Sequence, residues 1–489
     1  MRSVRLASLL VGAGLFLAAC GDNGTADSDG GTDGGADGGD ARVPDATVDR
    51  QPDSATADAG LPQPKLVDSD NTTSAIRPRI AVNASGRALA IWLTGCTTTT
   101  DPSSTGTATL SMCTEVWGNA FISGNWGNAT KLTSGVGGIR AGSSLEYPDV
   151  AIDSAGNGVA VWHQNDATPN QRVNAARWNG TAWSAAQLLD DGTSRARRVR
   201  VAAGNGTAVA VWEQGASPGG ANANMRVFAS RLVGTTWSPA ARLENNNMSG
   251  IDADVGMDAQ GNAIAVWSQS TRSDGGREMW SNRIDGTSGN LGTAVVVGTD
   301  PVGAGNTPSI AVSANGSAIF VWNEGATTVK ANRWSGTAWG ANGVAIENSP
   351  AVADAPVAAI DAAGNGYAAF QLEAMPVNAV VNTMSPSGVW GALQPVEQFT
   401  EDNNNVRVGA GNGNGVVVWS QLTSGDNNHI KGTFFNGSAV GPVLAIENQD
   451  GTATHCDVGM DAQGVAHVIW IQNIGLSNRT DVFSAVIQP

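Results

Sequence analysis

The chain has 489 residues, 43 of them acidic and 27 basic, with a net charge of −16. That balance argues against a general nucleic-acid binder, whose affinity would rest on basic contacts to phosphates. Nothing after the first twenty residues is long and apolar enough to span a membrane as a helix. About 430 residues remain beyond a low-complexity start, ample for one large core.

In chain order, residues 1–19 read as a leader. Arg2 and Arg5 make a positive start, Leu9 to Leu17 an apolar middle, and Leu17-Ala18-Ala19-Cys20 follows. That tetrapeptide resembles the lipobox of bacterial lipoproteins. The resemblance implies cleavage before Cys20, lipid on its thiol and amine, and anchoring at the bacterial cell envelope, with the outer membrane as the expected site. An ordinary secretory signal with a chance cysteine is the plainer alternative. Residues 20–61 are rich in Gly, Ala and Thr, with ten aspartates and no aromatic residue. Such a segment cannot bury a core and is expected to be a disordered tether, reaching roughly 35 Å as a flexible coil. Four arginines and ten aspartates lie before residue 62. The remainder keeps 33 acidic and 23 basic residues, about −10.

Residues 62–489 repeat one pattern, seen most plainly in 147–189. Two β-rich runs flank Ser154-Ala-Gly-Asn157, where Gly156 and Asn157 accept positive φ and Asp153 caps the turn. A polar loop follows, then RVNAARW, the turn Asn179-Gly180-Thr181, and AWSAAQLL. The aromatic end of the second strand recurs as Trp92, Trp162, Trp212, Trp267, Trp322, Phe370, Trp419 and Trp470. Four strands per unit and a period of about fifty residues predict an all-β, eight-bladed propeller. The last unit runs out of chain before its fourth strand. Gln63–Ser69 resembles the fourth strands at 187–190 and 241–244, so it is expected to complete the last blade and close the ring. A single-copy, monomeric propeller domain over 62–489 is the expectation.

The turn Asp-x-x-Gly-Asn at 153–157, 258–262 and 361–365 resembles that of NHL-like bacterial propeller repeats. Trp178-Asn-Gly-Thr-Ala-Trp183 and Trp334-Ser-Gly-Thr-Ala-Trp339 are similar to turns in propeller lectins, and sit where sialidase-like repeats carry their Asp-box. The Asp-box spacing itself is absent. A sialidase would also need a tyrosine nucleophile, and the two tyrosines, Tyr147 and Tyr367, lie at or near strands; no catalytic residue is carried over.

Cys96 and Cys113 bracket a Thr/Ser-rich excursion in unit one and read as a disulfide. Two cysteines without a nearby histidine make a poor metal site. Cys456 is left as a buried thiol. The anchor tryptophans read as packing between blades, and the Trp-x-Gln amides (Gln164, Gln214, Gln269, Gln421, Gln472, with Glu324 in the same place) as buried groups satisfying backbone. Trp117 and Trp280 fall outside this set and are the candidates for exposed aromatics. About thirteen residues before each anchor stand Arg79, Asp149, Arg198, Asp254, Ser309, Val357, Asn405 and Asp457. They converge on the channel mouth, where Arg79, Asp149, Arg198, Asp254 and Asp457 form a candidate site for a cation or polar ligand. Mutual pairing at a rim is the plainer reading. The run Arg195 to Arg200 and the scattered His163, His429, His455 and His467 show no catalytic or metal spacing.

The first-to-second turns are uniform, whereas the second-to-third and fourth-to-first loops vary and emerge on one face. The sequence therefore points to a binding or scaffold module for a protein or glycan, working through that face. The alternative is a carbohydrate-active enzyme using Asp149, Asp254, Glu213 or Glu324. Neither reading names a cofactor.

Overall fold

The computed structural model describes residues 62–69, 73–100, 109–133, 139–140, 148–165, 171–215, 225–270, 276–300, 308–325, 327–347, 351–373, 378–396, 403–422, 427–437, 439–447, 451–473 and 479–489. The leader and tether with Cys20, the tips of several variable loops, and Tyr147 lie outside them. Every regular element among the described residues is a β-strand.

The strands form eight antiparallel blades, each ordered inner, second, third, outer. The inner strands begin at Ile76, Asp149, Arg195, Gly250, Ser309, Val352, Asn403 and Ala453. Each neighbours the next, and that of blade 8 neighbours that of blade 1, so the array is a closed ring. In blades 1, 3 and 7 the outer strand is split into two short pieces. Lys65–Leu66 pairs antiparallel with Thr480–Ile487 as the outer strand of blade 8, through Lys65↔Ser484 and Leu66↔Phe483. Val67 N continues the ladder to Val482 O, and Val67 is buried. An additional three-stranded sheet joins Thr97–Thr100 and Thr109–Cys113 of the excursion in unit one to Ile139–Arg140 on the connection to unit two. The Cys96–Cys113 disulfide ties its base, and Cys456 is the free, buried thiol.

Packing explains the repeat. Eight apolar clusters occupy the eight blade interfaces, each built from the facing sheets of two neighbours. The anchor aromatics are fully buried in them. The indole of Trp162, Trp212, Trp267, Trp419 and Trp470 donates to the glutamine two residues on, at 2.9–3.4 Å. These amides thus serve an indole rather than the backbone alone. In blades 1 and 5, where Thr94 and Glu324 replace glutamine, Trp92 Nε1 and Trp322 Nε1 have no acceptor among the described residues. A second aromatic set lies at the outer edge. Trp126, Trp183, Trp237, Trp339 and Trp390 follow the third strands and lean on the preceding blade; Trp126, for example, donates to Ser484 Oγ at 2.6 Å.

In seven of the eight blades a buried acid ties one or both ends. At the hairpin end, Asp153 Oδ1 accepts from Asn157 N at 2.8 Å, and its Oδ2 accepts Gly206 N of the next blade at 3.2 Å. At the outer strand, Asp68, Asp190, Glu244, Asp300, Glu347 and Glu447 recur as buried acids. Asp190 accepts from Val173 N, Glu244 from Val227 N and Glu447 from Ile430 N, so carboxylates complete the ladder where the short outer strands end.

Candidate functional site

The inner strands carry a recurrent bulge near their starts, in blades 1, 3, 4, 6, 7 and 8. Each holds a non-glycine residue in the left-handed region: Arg77, Arg198, Asp252, Ala355, Asn405 and His455, at φ 50–57°. Such residues cost about 1 kcal/mol or more each and persist only where their surroundings determine them. Six of them gather at one end of the channel, the end from which the variable loops emerge.

Two residues beyond each bulge lies one ring of structurally equivalent positions. The register pairs Arg79 with Ile91, Asp149 with Val161, Arg200 with Val211, Asp254 with Val266, Ser309 with Val321, Val357 with Ala369, Arg407 with Val418 and Asp457 with Ile469. Counting back from the anchors selected Arg198 and Asn405 in blades 3 and 7; the register selects Arg200 and Arg407. The reason is the hairpin. Asn205-Gly206 and Asn412-Gly413 make two-residue turns with both φ positive, one residue shorter than the Asp-capped turns elsewhere. Arg198 and Asn405 are the bulge residues themselves.

With the register corrected, the ring reads Arg79, Asp149, Arg200, Asp254, Ser309, Val357, Arg407, Asp457. Charge alternates through six members and is interrupted at two adjacent ones. The acids also join blades: Asp149 accepts from Val201 N at 2.9 Å, Asp254 from Ile310 N at 2.9 Å and Asp457 from Ile80 N at 3.1 Å, each in the following blade. Ser309 Oγ does the same for Ala358 N at 3.2 Å. Asp457 lies 3.8 Å from both Arg79 Nη1 and Arg407 Nε. Two residues further along, every blade has alanine or glycine: Ala81, Ala151, Ala202, Gly256, Ala311, Ala359, Gly409 and Gly459. A Cβ on Gly256 would lie 2.5 Å from Val312, and one on Gly459 2.5 Å from Val82. Small residues here are what let eight inner strands converge below the ring.

Above that constriction is a cavity of about 440 Å³. All five channel-mouth residues singled out from the sequence, Arg79, Asp149, Arg198, Asp254 and Asp457, line it, together with Arg200, Arg407 and the uncharged Pro308, Ser309, Pro356 and Val357. Burial raises the pKa of Asp149 against the pull of Arg200 and Arg79, and pushes that of Asp254 up to about 6. Burial likewise lowers that of Arg200, which the nearby acids oppose.

Beside the cavity, Glu213 is fully buried and accepts from Arg197 Nε at 3.0 Å, Arg198 Nη1 at 3.3 Å and Asp252 N at 2.6 Å. Arg198 also pairs with Asp252, whose carboxyl burial raises to about 6. Glu213 is the residue after an anchor. In other blades Asn323 Nδ2 reaches Ala353 O and Ser420 Oγ reaches Ala453 O from the same position, each holding the next inner strand above its bulge. Glu213 is thus committed to the scaffold. Glu324 pairs with Lys330 at 2.6 Å and does not line the cavity. Of the four carboxylates considered for catalysis, only Asp149 and Asp254 face the cavity, and both also accept backbone amides.

The remaining candidates are dispersed. Trp117 and Trp280 are half-buried, not exposed; each indole donates to a glutamate two residues earlier, Glu115 and Glu278. None of the sixteen tryptophans is exposed. His163 is buried in blade 2, His429 pairs with Glu447 at 2.8 Å, and His455, at a bulge, has its pKa lowered to about 4 by burial and by Arg77 and Arg407. Among the described residues no group of three or more His, Cys, Asp or Glu is placed to hold a metal ion. Tyr367 is buried and donates to Gly413 O at 3.1 Å. Burial lifts the Cys456 thiol to about 12, and its Sγ donates to Asn405 O.

No protein-family model and no curated protein matches the chain. Solved propellers do resemble it. A polysaccharide lyase, an ulvan lyase, aligns at 10% identity and TM-score 0.44, over 85% of this chain and 94% of that one. An uncharacterised protein from Dyadobacter fermentans aligns at 8% identity and TM-score 0.40, over 87% and 98%. An intramolecular trans-sialidase from Ruminococcus gnavus aligns at 12% identity and TM-score 0.38, over 89% and 98%. At these levels no residue or activity carries over from them.

Proposed function

We propose that this protein is a binding or scaffold module held at the bacterial cell envelope by lipid on Cys20, with residues 21–61 as a spacer, and that it engages a protein or glycan through the variable-loop face as a monomer. The observation that carries the reading is the channel-mouth cavity. It opens on the face of the variable loops and is lined by charged groups placed by the inner strands of the ring. A rigid ring presenting fixed charges beneath adaptable loops suits recognition, because the polar groups are ordered before the partner arrives.

Two experiments test the two halves. Cys20→Ala should move the protein from the membrane fraction to the soluble fraction; retention in membranes would refute the lipid anchor. Glycan-array and envelope pull-down screens of the Cys20→Ala chain should return a partner whose binding falls when Arg407→Gln or Asp254→Asn is introduced. A partner unaffected by both would place recognition away from the channel mouth.

A further inference from the structure

The interruption of the charge ring has a chemical meaning. Going round, the signs are plus at Arg79, minus at Asp149, plus at Arg200, minus at Asp254, none at Ser309, none at Val357, plus at Arg407 and minus at Asp457. Asp149 stands between two arginines, and so does Asp457. Asp254 has an arginine, Arg200, on one side only, and Arg407 has an acid, Asp457, on one side only. Continuing the alternation would put a cation at the Ser309 position and an anion at the Val357 position. Ser309 and Val357 leave those places to the cavity, whose wall there is uncharged: Pro308, Ala355, Pro356, Val357, Ala358 and Gln371.

Three further observations mark the interruption as more than a neutral spacer. Ser309 keeps the blade-joining bond to Ala358 N, so the scaffold needs an acceptor there and not a charge. Among the described residues Arg407 Nε is buried without a hydrogen-bond partner and lies 3.8 Å from Asp457, while Nη1 donates to Val406 O. Burial pushes the Asp254 carboxyl up to about 6, against the bond from Ile310 N and the pull of its one flanking arginine, Arg200.

We infer that the channel mouth takes a zwitterionic group, an ammonium and a carboxylate on one molecule, with the ammonium beside Asp254 over Ser309 and the carboxylate beside Arg407 over Val357. This rests on the binding role of the cavity and names the chemistry that enters it. A guanidinium recognises carboxylate with paired donors, and fixed opposite charges in a low-dielectric wall orient a dipolar ligand and reject single ions. The cavity is large enough for such a group with a substituent, as a free small molecule or as the end of a larger one.

The test is calorimetric titration of the Cys20→Ala chain, in low salt, with glycine, β-alanine, γ-aminobutyrate and glycine betaine. Ethylammonium and acetate serve as single-charge controls. At least one zwitterion should bind and neither control should. Asp254→Asn and Arg407→Gln, each checked for an intact melting transition, should weaken that binding roughly tenfold or more, as expected for loss of one charge-assisted contact. Acetate or ethylammonium binding as tightly as the best zwitterion would overturn the inference, as would zwitterion binding unaffected by both variants. Silence across the zwitterions, with a glycan or protein partner still found through the same ring, would overturn it and leave the binding role standing. Silence in every screen would remove both.

Discussion

Blades 4 and 5 share the strand register at the ring position and differ in its chemistry. Both place an acceptor at the ring position, Asp254 and Ser309, and both hold the next inner strand through it, at 2.9 and 3.2 Å. The hydroxyl does the structural work as the carboxylate does, without a charge in a partly buried site. The comparison separates two roles that coincide elsewhere in the ring: joining blades needs a lone pair, whereas the alternating charge is additional and stops where the cavity wall turns uncharged. The rest of the scaffold tolerates the same kind of exchange. Gln, Thr and Glu all follow an anchor tryptophan by two residues, and blades 3 and 7 use two-residue turns where others use Asp-capped ones.

Five perturbations break or sharpen this division between scaffold and charge. The largest effect is expected from deleting residues 62–69. Blade 8 would lose its outer strand, the burial of Val67 and Asp68, and the ladder to Thr480–Ile487, and the ring would have open edges. A loss on the order of 5 kcal/mol should appear in chemical denaturation; an unchanged midpoint would show that this strand does not secure the ring. Next, Glu213→Ala removes the buried carboxylate shared by Arg197, Arg198 and the Asp252 amide, at about 3–5 kcal/mol. Were Glu213 a ligand-facing group instead, stability would change little while binding fell.

Smaller again, Gln472→Ala leaves Trp470 Nε1 and Glu447 without their shared amide and should cost about 1–3 kcal/mol. Thr94→Ala in blade 1 should cost less, since Trp92 has no such acceptor to lose. The smallest effect is a pH dependence. The Asp254 pKa of about 6 lies above its ordinary 3.8, so its protonated form favours the folded state. That contribution is complete below pH 3.8 and is lost as pH rises through about 6. The melting temperature of Asp254→Asn relative to wild type should therefore rise between pH 4 and pH 7.5, and a flat difference would contradict the displaced pKa.

The ring of blades was legible because it is periodic: anchor aromatics, Gly-Asn turns and strand-length runs recur about every fifty residues, and a packing requirement repeated eight times writes itself into the sequence. The candidate site was legible in part. Arg79, Asp149, Asp254 and Asp457 emerge from counting back from the anchors. Arg200 and Arg407 were missed because the count ran through hairpins of two different lengths. The signal that would have found them is the alanine or glycine present in all eight units two residues after the ring position, from Ala81 to Gly459. Counting back to Ala202 and Gly409 lands on the two arginines. The bulges were not legible: left-handed Arg77, Arg198 and His455 are set by convergence of inner strands distant in sequence, not by local turn residues. Trp117 and Trp280 misled because a tryptophan outside the anchor set still finds cover when a glutamate two residues earlier accepts its indole.

The most direct measurement completes the ring covalently. In a chain carrying Ser309→Lys and Val357→Glu, the missing cation and anion are supplied by the protein. Titrated with the tightest zwitterion under conditions where wild type binds, the folded double variant should show no binding. Undiminished affinity would contradict the claim that the interrupted arc at blades 5 and 6 is where the ligand sits.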